Sequence, residues 1–257
     1  MGIVGKIIYS SISSKEEIER YQQLIRNTEW DSISKYIPLK TRFLDVGCGA
    51  GYAMQMARET RQCESSGIDP DPGAHGVGRF VSSLVKNESI VQGFAESLPY
   101  DNQTFDVIYS SHVLEHVNDE QKSLTEMKRV LKDDGVLIIG MPTATMTIIR
   151  LITTILFVTH IKVYEAILAL IRGGNITAKV KSIFVIGSHS YPRANSVFYD
   201  LHHYKVKNWH KTISNQFEIN NVIEPCLYPY PDYVQWFKLH KSKLGASSVF
   251  FICKKKH

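Results

Sequence analysis

Across 257 residues there are only four cysteines, Cys48, Cys63, Cys226 and Cys253, and no two of them form a C-x-x-C pair. That scatter excludes a zinc ribbon and a disulfide framework, and it predicts reduced thiols. Charge of one sign is equally scarce, since 30 Lys and Arg against 25 Asp and Glu leave a net +5, part of it in Lys254, Lys255 and Lys256. So small an excess, without a basic stripe, argues against a nucleic-acid partner; the terminal lysines read as a solvated tail or as a weak contact with an anionic membrane. Long apolar runs are missing too. The longest charge-free run in the greasy stretch 148–171 is 151–161, 11 residues, against the roughly 18 or more that a membrane span requires. Residues 1–14 lack the basic segment and small-residue cleavage site of a secretory leader, which predicts a cytoplasmic location.

What is present is an ordinary globular balance, 44% hydrophobic and 21% charged, enough for one large α/β domain or one domain with an insertion. Ser14 and Glu17 form an S-x-x-E capping box ahead of an amphipathic helix over 16–27. Short apolar runs at 42–46 (RFLDV), 63–68, 89–92, 105–110 and 135–141 read as five strands, with helical patterns at 52–60 and 118–131 among the connections. Strands alternating with helices predict right-handed crossovers and a mainly parallel sheet. After Pro142 the pattern breaks into an apolar insertion over 143–200, with a Gly173-Gly174 interruption and a second apolar patch at 183–186. A helix at 204–215 and strands at 217–223 and 247–253 complete the chain, the last two pairing antiparallel at the sheet edge. The organisation expected is therefore a core over 1–142, a helical cap over 143–200 and the rest of the core over 201–257.

The chemistry-bearing signal begins at Asp45-Val46-Gly47-Cys48-Gly49-Ala50-Gly51, where three glycines at alternate positions follow a buried strand. Without a Cβ, the chain there passes close to a ligand, and the helix that follows points its amides at it. The spacing is G-x-G-x-G and not the G-x-G-x-x-G of a nicotinamide or flavin site. Asp69, in Gly67-Ile68-Asp69-Pro70-Asp71, ends the next strand; a carboxylate there can accept from both hydroxyls of a ribose. Asp45 is placed to meet the amides of the turn or a cationic amino group. Each aspartate alone reads equally as a turn or cap residue; the pair, at the ends of adjacent strands, points to a nucleoside-type site.

Four blocks in order, FLDVGCGAGYA, GIDPD, GFAESLPYDNQTFDVIYSSHVLEHV and MKRVLKDDGVLIIGMP, resemble the class I S-adenosylmethionine-dependent methyltransferases, in particular the type 11 group, over about 43–142. The resemblance implies a Rossmann-like, doubly wound, seven-stranded, mainly parallel sheet with an antiparallel edge strand and a helical insertion after strand five. It implies S-adenosyl-L-methionine as cofactor, with Asp45, Gly47, Cys48, Gly49 and Gly51 around its methionine part, and Asp69 with Pro70 at the ribose. Phe94, Ala95 and Glu96 would lie at the adenine, and Ser110 and Ser111 near the sulfonium. Many relatives carry an acidic residue where this chain has Phe94, so here the ring would pack on the purine and adenine selectivity would pass to main chain around Ala95 or to Glu96.

A sulfonium makes its methyl electrophilic, so the protein's task is alignment, with a general base needed when the acceptor is a hydroxyl. Candidates are His112, in Ser111-His112-Val113-Leu114-Glu115-His116, and His202 or His203, just after the insertion, where the resembled group often has a histidine facing the acceptor. If a helix begins at 112, His112 and His116 share one face, and H-x-x-E-H also resembles a zinc pattern. Quinone and RNA-end methyltransferases with an E-x-x-E-H metal site have Glu where this chain has His112; the expectation is no metal, with Glu115 and His116 tying the segment to the sheet through hydrogen bonds. His202 and His203 each read alternatively as surface or capping residues.

Acceptor choice belongs to the insertion, as a lid over the site or as an amphipathic helix at a bilayer surface, giving a possible peripheral contact through 148–171. The aromatic, proline-stiffened segment 225–236 and Arg193 suit a sugar or ring-shaped and an anionic ligand respectively, or simple loop packing and solvation. The resulting expectation is methyl transfer to a small-molecule or lipid-linked acceptor, on oxygen, within a cell-envelope glycan or glycolipid intermediate. A quinone or fatty acceptor and a non-catalytic cofactor-binding partner subunit are the alternatives.

Overall fold

The computed structural model describes residues 15–74, 77, 89–155, 159–171, 189–190, 196–228 and 245–256. Seven strands form one sheet in the order β3-β2-β1-β4-β5-β7-β6: β1 Arg42–Val46, β2 Glu64–Asp69, β3 Ile90–Gln92, β4 Phe105–Ser111, β5 Leu131–Pro142, β6 Phe217–Ile223 and β7 Ser248–Lys255. Strands β1 to β5 pair in parallel, whereas β7 runs antiparallel between β5 and β6. The helices are α1 Lys15–Ile33, α2 Tyr52–Arg61, α3 Glu120–Val130, α4 Ala144–Thr153, α5 Thr159–Ile171, α6 Val197–His203 and α7 Val206–Ser214. The expected fold class is thus the observed one.

Strand alternation sorts the core into two layers. Leu44, Ile108, Leu137, Ile139 and Phe251 point to the face covered by Leu124 and Met127 of α3 and Trp209 and Ile213 of α7. Phe43, Val107, Tyr109, Ile138, Phe250 and Ile252 point to the other face, under Trp30 and Ile33 of α1 and Ala57 of α2. With both faces covered, β1, β4, β7 and the second half of β5 are buried along most of their length, which is why they read as near-continuous apolar runs.

Two boundaries differ from expectation. Helix α1 runs six residues past 27, because Trp30 and Ile33 are carried into the core. Strand β5 begins at Leu131 and not at 135, since α3 passes into it without a loop and Leu131 pairs with Phe105. In the C-terminal region, the indole N–H of Trp209 donates to the Pro142 carbonyl at 2.9 Å and pins α7 to the end of β5.

In the insertion, Thr143 caps α4, its hydroxyl accepting the Met146 N–H at 3.2 Å. Position 200, the expected end of the insertion, falls inside α6. Among the described residues no helix is long and apolar enough to cross a membrane. The Gly173-Gly174 break, the patch at 183–186, Arg193 and 229–236 lie outside the described residues.

Candidate functional site

The carboxyl ends of β1, β2 and β4 meet around the glycine turn. Gly47, Gly49 and Gly51 all take positive φ, at 76°, 52° and 84°, a region that side chains with a Cβ rarely adopt. A Cβ on Gly47 would also lie 2.1 Å from Val113 Cγ2, so the turn is packed as well as twisted. Gly51 is the N-cap of α2 and offers no side-chain acceptor, so the helix's first amides remain directed toward the turn.

Asp69 is 5% exposed and holds this turn, one oxygen accepting the Gly49 N–H and the other the Asp71 N–H, each at 2.8 Å. Asp45 is also buried; burial, and then the neighbouring Asp69, push its carboxyl up to about 8, with Arg26 pulling the other way. Cys48 is buried beneath, and burial pushes its thiol well up, with Asp45 and Asp69 adding to the effect. Pro70 is exposed. At the end of β3, Phe94 is 63% exposed, Ala95 is buried, and Glu96 accepts the Asn118 N–H at 2.9 Å. Ser110 is buried with its hydroxyl unpartnered, and the Ser111 hydroxyl accepts from Arg26 at 3.4 Å.

Arg26 and Glu29 were not legible as site residues. Helix α1 lays them against the end of β4 as an ion pair of 2.6 Å, with the Glu29 side chain 1% exposed. Burial is the largest single effect and lowers the Arg26 guanidinium, but Glu29, Tyr228 and Tyr109 together outweigh it and the net shift is upward. Glu29 also accepts from the hydroxyls of Ser248 and Tyr228, and the Ser248 hydroxyl lies 3.4 Å from His112 Nε2. Their signal in the sequence was only an i, i+3 pair on a helix; its depth depends on how that helix packs.

His112 adopts a left-handed φ of 58°, and no helix starts there; residues 114–116 form a turn, and α3 begins only after Asp119, whose carboxylate accepts the Lys122 N–H at 2.9 Å. The expected shared helix face is therefore replaced by a tight turn. His112 Nδ1 lies 3.4 Å from Glu115 Oε1, His116 Nε2 lies 3.8 Å from it, and His189 Nε2 also lies 3.8 Å from it. Contrary to expectation, Glu115 does not tie this segment down by side-chain hydrogen bonds: it is fully buried and neither carboxylate oxygen has a partner. Burial pushes the Glu115 carboxyl up against the pull of His116 and His189, and burial likewise lowers His112 and His189 to about 4.

The other two candidate bases sit elsewhere. His202 is exposed. His203 Nε2 is 3.0 Å from Glu120, and its ring stacks on Tyr199 at 4.8 Å and meets Trp209 edge-on at 4.7 Å. The fold brings the glycine turn, Asp45, Asp69, Ser110, Ser111 and His112 together at the carboxyl ends of the interior strands β1, β2 and β4, and holds His203 against α3.

Known proteins resemble the stretch of chain that carries the glycine turn. A family described as a methyltransferase domain, the type 11 family, matches residues 44–139. The ubiquinone/menaquinone biosynthesis C-methyltransferase of Campylobacter jejuni is 28% identical over 113 residues, 42% of this chain and 47% of that protein. An uncharacterized methyltransferase of Bacillus subtilis is 35% identical over 97 residues, 37% of this chain and 38% of that protein. The matched region thus spans less than half the length of these curated relatives. In overall fold the chain resembles a SAM-dependent methyltransferase of Thermotoga maritima, with a TM-score of 0.55 at 19% identity over 93% of this chain and 92% of that one. Over residues 44–139 the chain therefore matches the type 11 methyltransferase-domain family, and its overall fold is that of S-adenosylmethionine-dependent methyltransferases.

Proposed function

We propose that the chain binds S-adenosylmethionine across the glycine turn and transfers its methyl group to an oxygen of a lipid-linked acceptor, within a cell-envelope glycan or glycolipid intermediate. The observation that carries the cofactor half is Asp69. Each of its oxygens accepts one amide hydrogen, and a carboxylate has about four acceptor positions; capacity for a ribose diol remains at the end of β2. Gly47, Cys48, Gly49 and Gly51 would flank the methionine part, with Asp45 facing its amino group. Pro70 would lie beside the ribose. Phe94 would cover the adenine, with Ala95 and Glu96 at its edge. The buried, unpartnered hydroxyl of Ser110 is a donor awaiting an acceptor at this edge, and Ser111 lies beside it. When bound, the cofactor supplies an electrophilic methyl on a sulfonium. The chain's own residues exclude water and align the nucleophile.

For the acceptor, His112, which directly follows β4, would take the hydroxyl proton. His202, exposed, and His203, held by Glu120, are given no such role. The lipid-linked reading rests on the insertion. Ile148, Ile152 and Ile155 in and just after α4, and Val163, Ile167, Leu170 and Ile171 on α5, are exposed at 39–74%. Their helical spacing makes an apolar stripe suited to a cytoplasmic membrane surface. The same stripe, with the name of the Campylobacter jejuni relative, favours a quinone-type ring acceptor as second reading.

The test is transfer of labelled methyl from S-adenosylmethionine to envelope lipid and glycan extracts by the purified chain, with Asp69→Ala as control. Label in a solvent-extractable glycolipid is expected, and label in a quinone selects the second reading. Cofactor binding without transfer to any extract points to a non-catalytic partner subunit and overturns the proposal.

A further inference from the structure

We infer that His112, Glu115 and His189 form a binding site for a transition-metal dication of the zinc type. The group stands beside the cofactor edge of the sheet and is independent of the methyl-transfer reading. Nδ1 of His112, a carboxylate oxygen of Glu115 and a ring nitrogen of His189 all lie within 4.8 Å of one another. Glu115 is 0% exposed with both oxygens unpartnered. A buried carboxylate without hydrogen bonds is costly, and proteins retain one where a cation or a proton compensates it.

The geometry separates these two. Three imidazole nitrogens approach Oε1 at 3.4, 3.8 and 3.8 Å, yet none of them makes a hydrogen bond to it. The side chains are therefore not arranged to share protons. Metal–ligand bonds of about 2.0–2.2 Å at tetrahedral angles put neighbouring donor atoms about 3.3–3.6 Å apart; Glu115 Oε1 lies 3.4 and 3.8 Å from the His112 and His189 nitrogens, and all three donors lie within 4.8 Å of one another, so a small inward movement closes them on an ion. Two imidazoles and one carboxylate are a borderline-soft set that suits zinc-like ions and not magnesium. Three protein ligands also leave a fourth position for water or an acceptor oxygen. His116, whose side chain is 39% exposed, faces the same oxygen from the solvent side and forms the rim.

The surroundings hold the ligands in place, as metal sites require. Nε2 of His112 lies 3.4 Å from the Ser248 hydroxyl, which is fixed by Glu29 and Tyr228. The main-chain N–H of His189 donates to the buried Asp200 carboxylate at 2.7 Å, and the next residue, Ser190, pairs its hydroxyl with that of Tyr204 at 2.5 Å. Position 189 is thus fixed on both sides, which brings an insertion residue to the end of β4.

The test is a titration of the tag-free, chelator-treated chain with Co2+ followed by Zn2+ competition, read by visible absorption and calorimetry without cofactor or acceptor. One equivalent is expected to bind, with millimolar Mg2+ failing to displace it. Glu115→Gln and His189→Gln should each weaken binding by about a hundredfold, while His202→Ala binds as the parent does. Circular dichroism identifies any variant that fails to fold; His112→Gln then replaces it. Absence of stoichiometric binding, or equal affinity in the folded Glu115→Gln and His189→Gln variants, overturns the site. Binding of S-adenosylhomocysteine, measured separately, reports on the methyltransferase reading alone, so failure of one leaves the other standing.

Discussion

Asp69 and Gly49 meet through a 2.8 Å hydrogen bond from the Gly49 N–H to the Asp69 carboxylate, across 20 residues of sequence. The carboxylate at the end of β2 therefore braces the turn after β1. Its proposed work on a ribose and its work on the loop are done by the same two oxygens. Asp69→Asn retains one acceptor oxygen but loses the charge, and hydrogen bonds to charged groups are worth about 1.5–3 kcal/mol. Calorimetry should show S-adenosylhomocysteine binding weakened by about ten- to a hundredfold, and unaltered affinity would remove Asp69 from the site.

Gly47 tests the turn itself. Its φ is 76°, and a Cβ added there would stand only 2.1 Å from Val113 Cγ2, so Gly47→Ala should cost about 1–3 kcal/mol of stability. Val113→Ala in the same chain should restore part of it, because the steric share of the cost is relieved while the positive φ remains. A double-mutant cycle by chemical denaturation measures the coupling; strict additivity would place the strain elsewhere.

Asp45 should make cofactor binding depend on pH. Its neighbours are Asp69 on β2, Arg26 on α1, Tyr109 on β4 and Cys48 in the turn. A carboxyl raised from 3.8 to about 8 is protonated in the free folded protein at neutral pH, so the free protein loses stability as pH rises from about 4 to about 8. A cationic amino group beside it favours the ionised form. Binding of S-adenosylhomocysteine at pH 7 should thus release close to one proton, and affinity should climb with pH until about 8. Calorimetry in buffers of different ionisation enthalpy reads this directly, and Asp45→Asn should abolish the release.

The Arg26–Glu29 pair predicts an asymmetric response. Arg26→Met leaves the Glu29 carboxylate buried with only hydroxyl partners, a change that costs about 3–5 kcal/mol when a buried pair is broken. Replacing both residues by Met should cost less than Arg26→Met alone. Thermal or urea unfolding of the three variants tests the order.

The apolar stripe predicts membrane association. Ile152→Asp with Ile167→Asp, both at exposed positions of 48% and 51%, should leave the melting temperature nearly unchanged. The parent chain should co-sediment with vesicles of anionic and neutral lipid, and the variant should not. Equal sedimentation of both would dismiss the bilayer contact through 148–171.

The sheet and the glycine turn with Asp69 beside it were readable from the amino-acid order, because both rest on local signals. Short apolar runs between helical patterns mark the strands of a parallel sheet, and glycines that need positive φ, with an aspartate at the next strand's end, are readable from neighbours a few residues apart. Helix α1 beyond 27 and strand β5 before 135 escaped, since Trp30, Ile33 and Leu131 are held there by distant partners in the core and not by local pattern. The surroundings of Glu115 also lay beyond reach: His189 approaches it from the insertion, and Ser248, Tyr228 and Glu29 converge on His112 from β7, the segment before it and α1. That this carboxylate is buried among imidazoles without a side-chain hydrogen bond emerged with the packing of the chain, because burial and convergence join segments far apart in sequence.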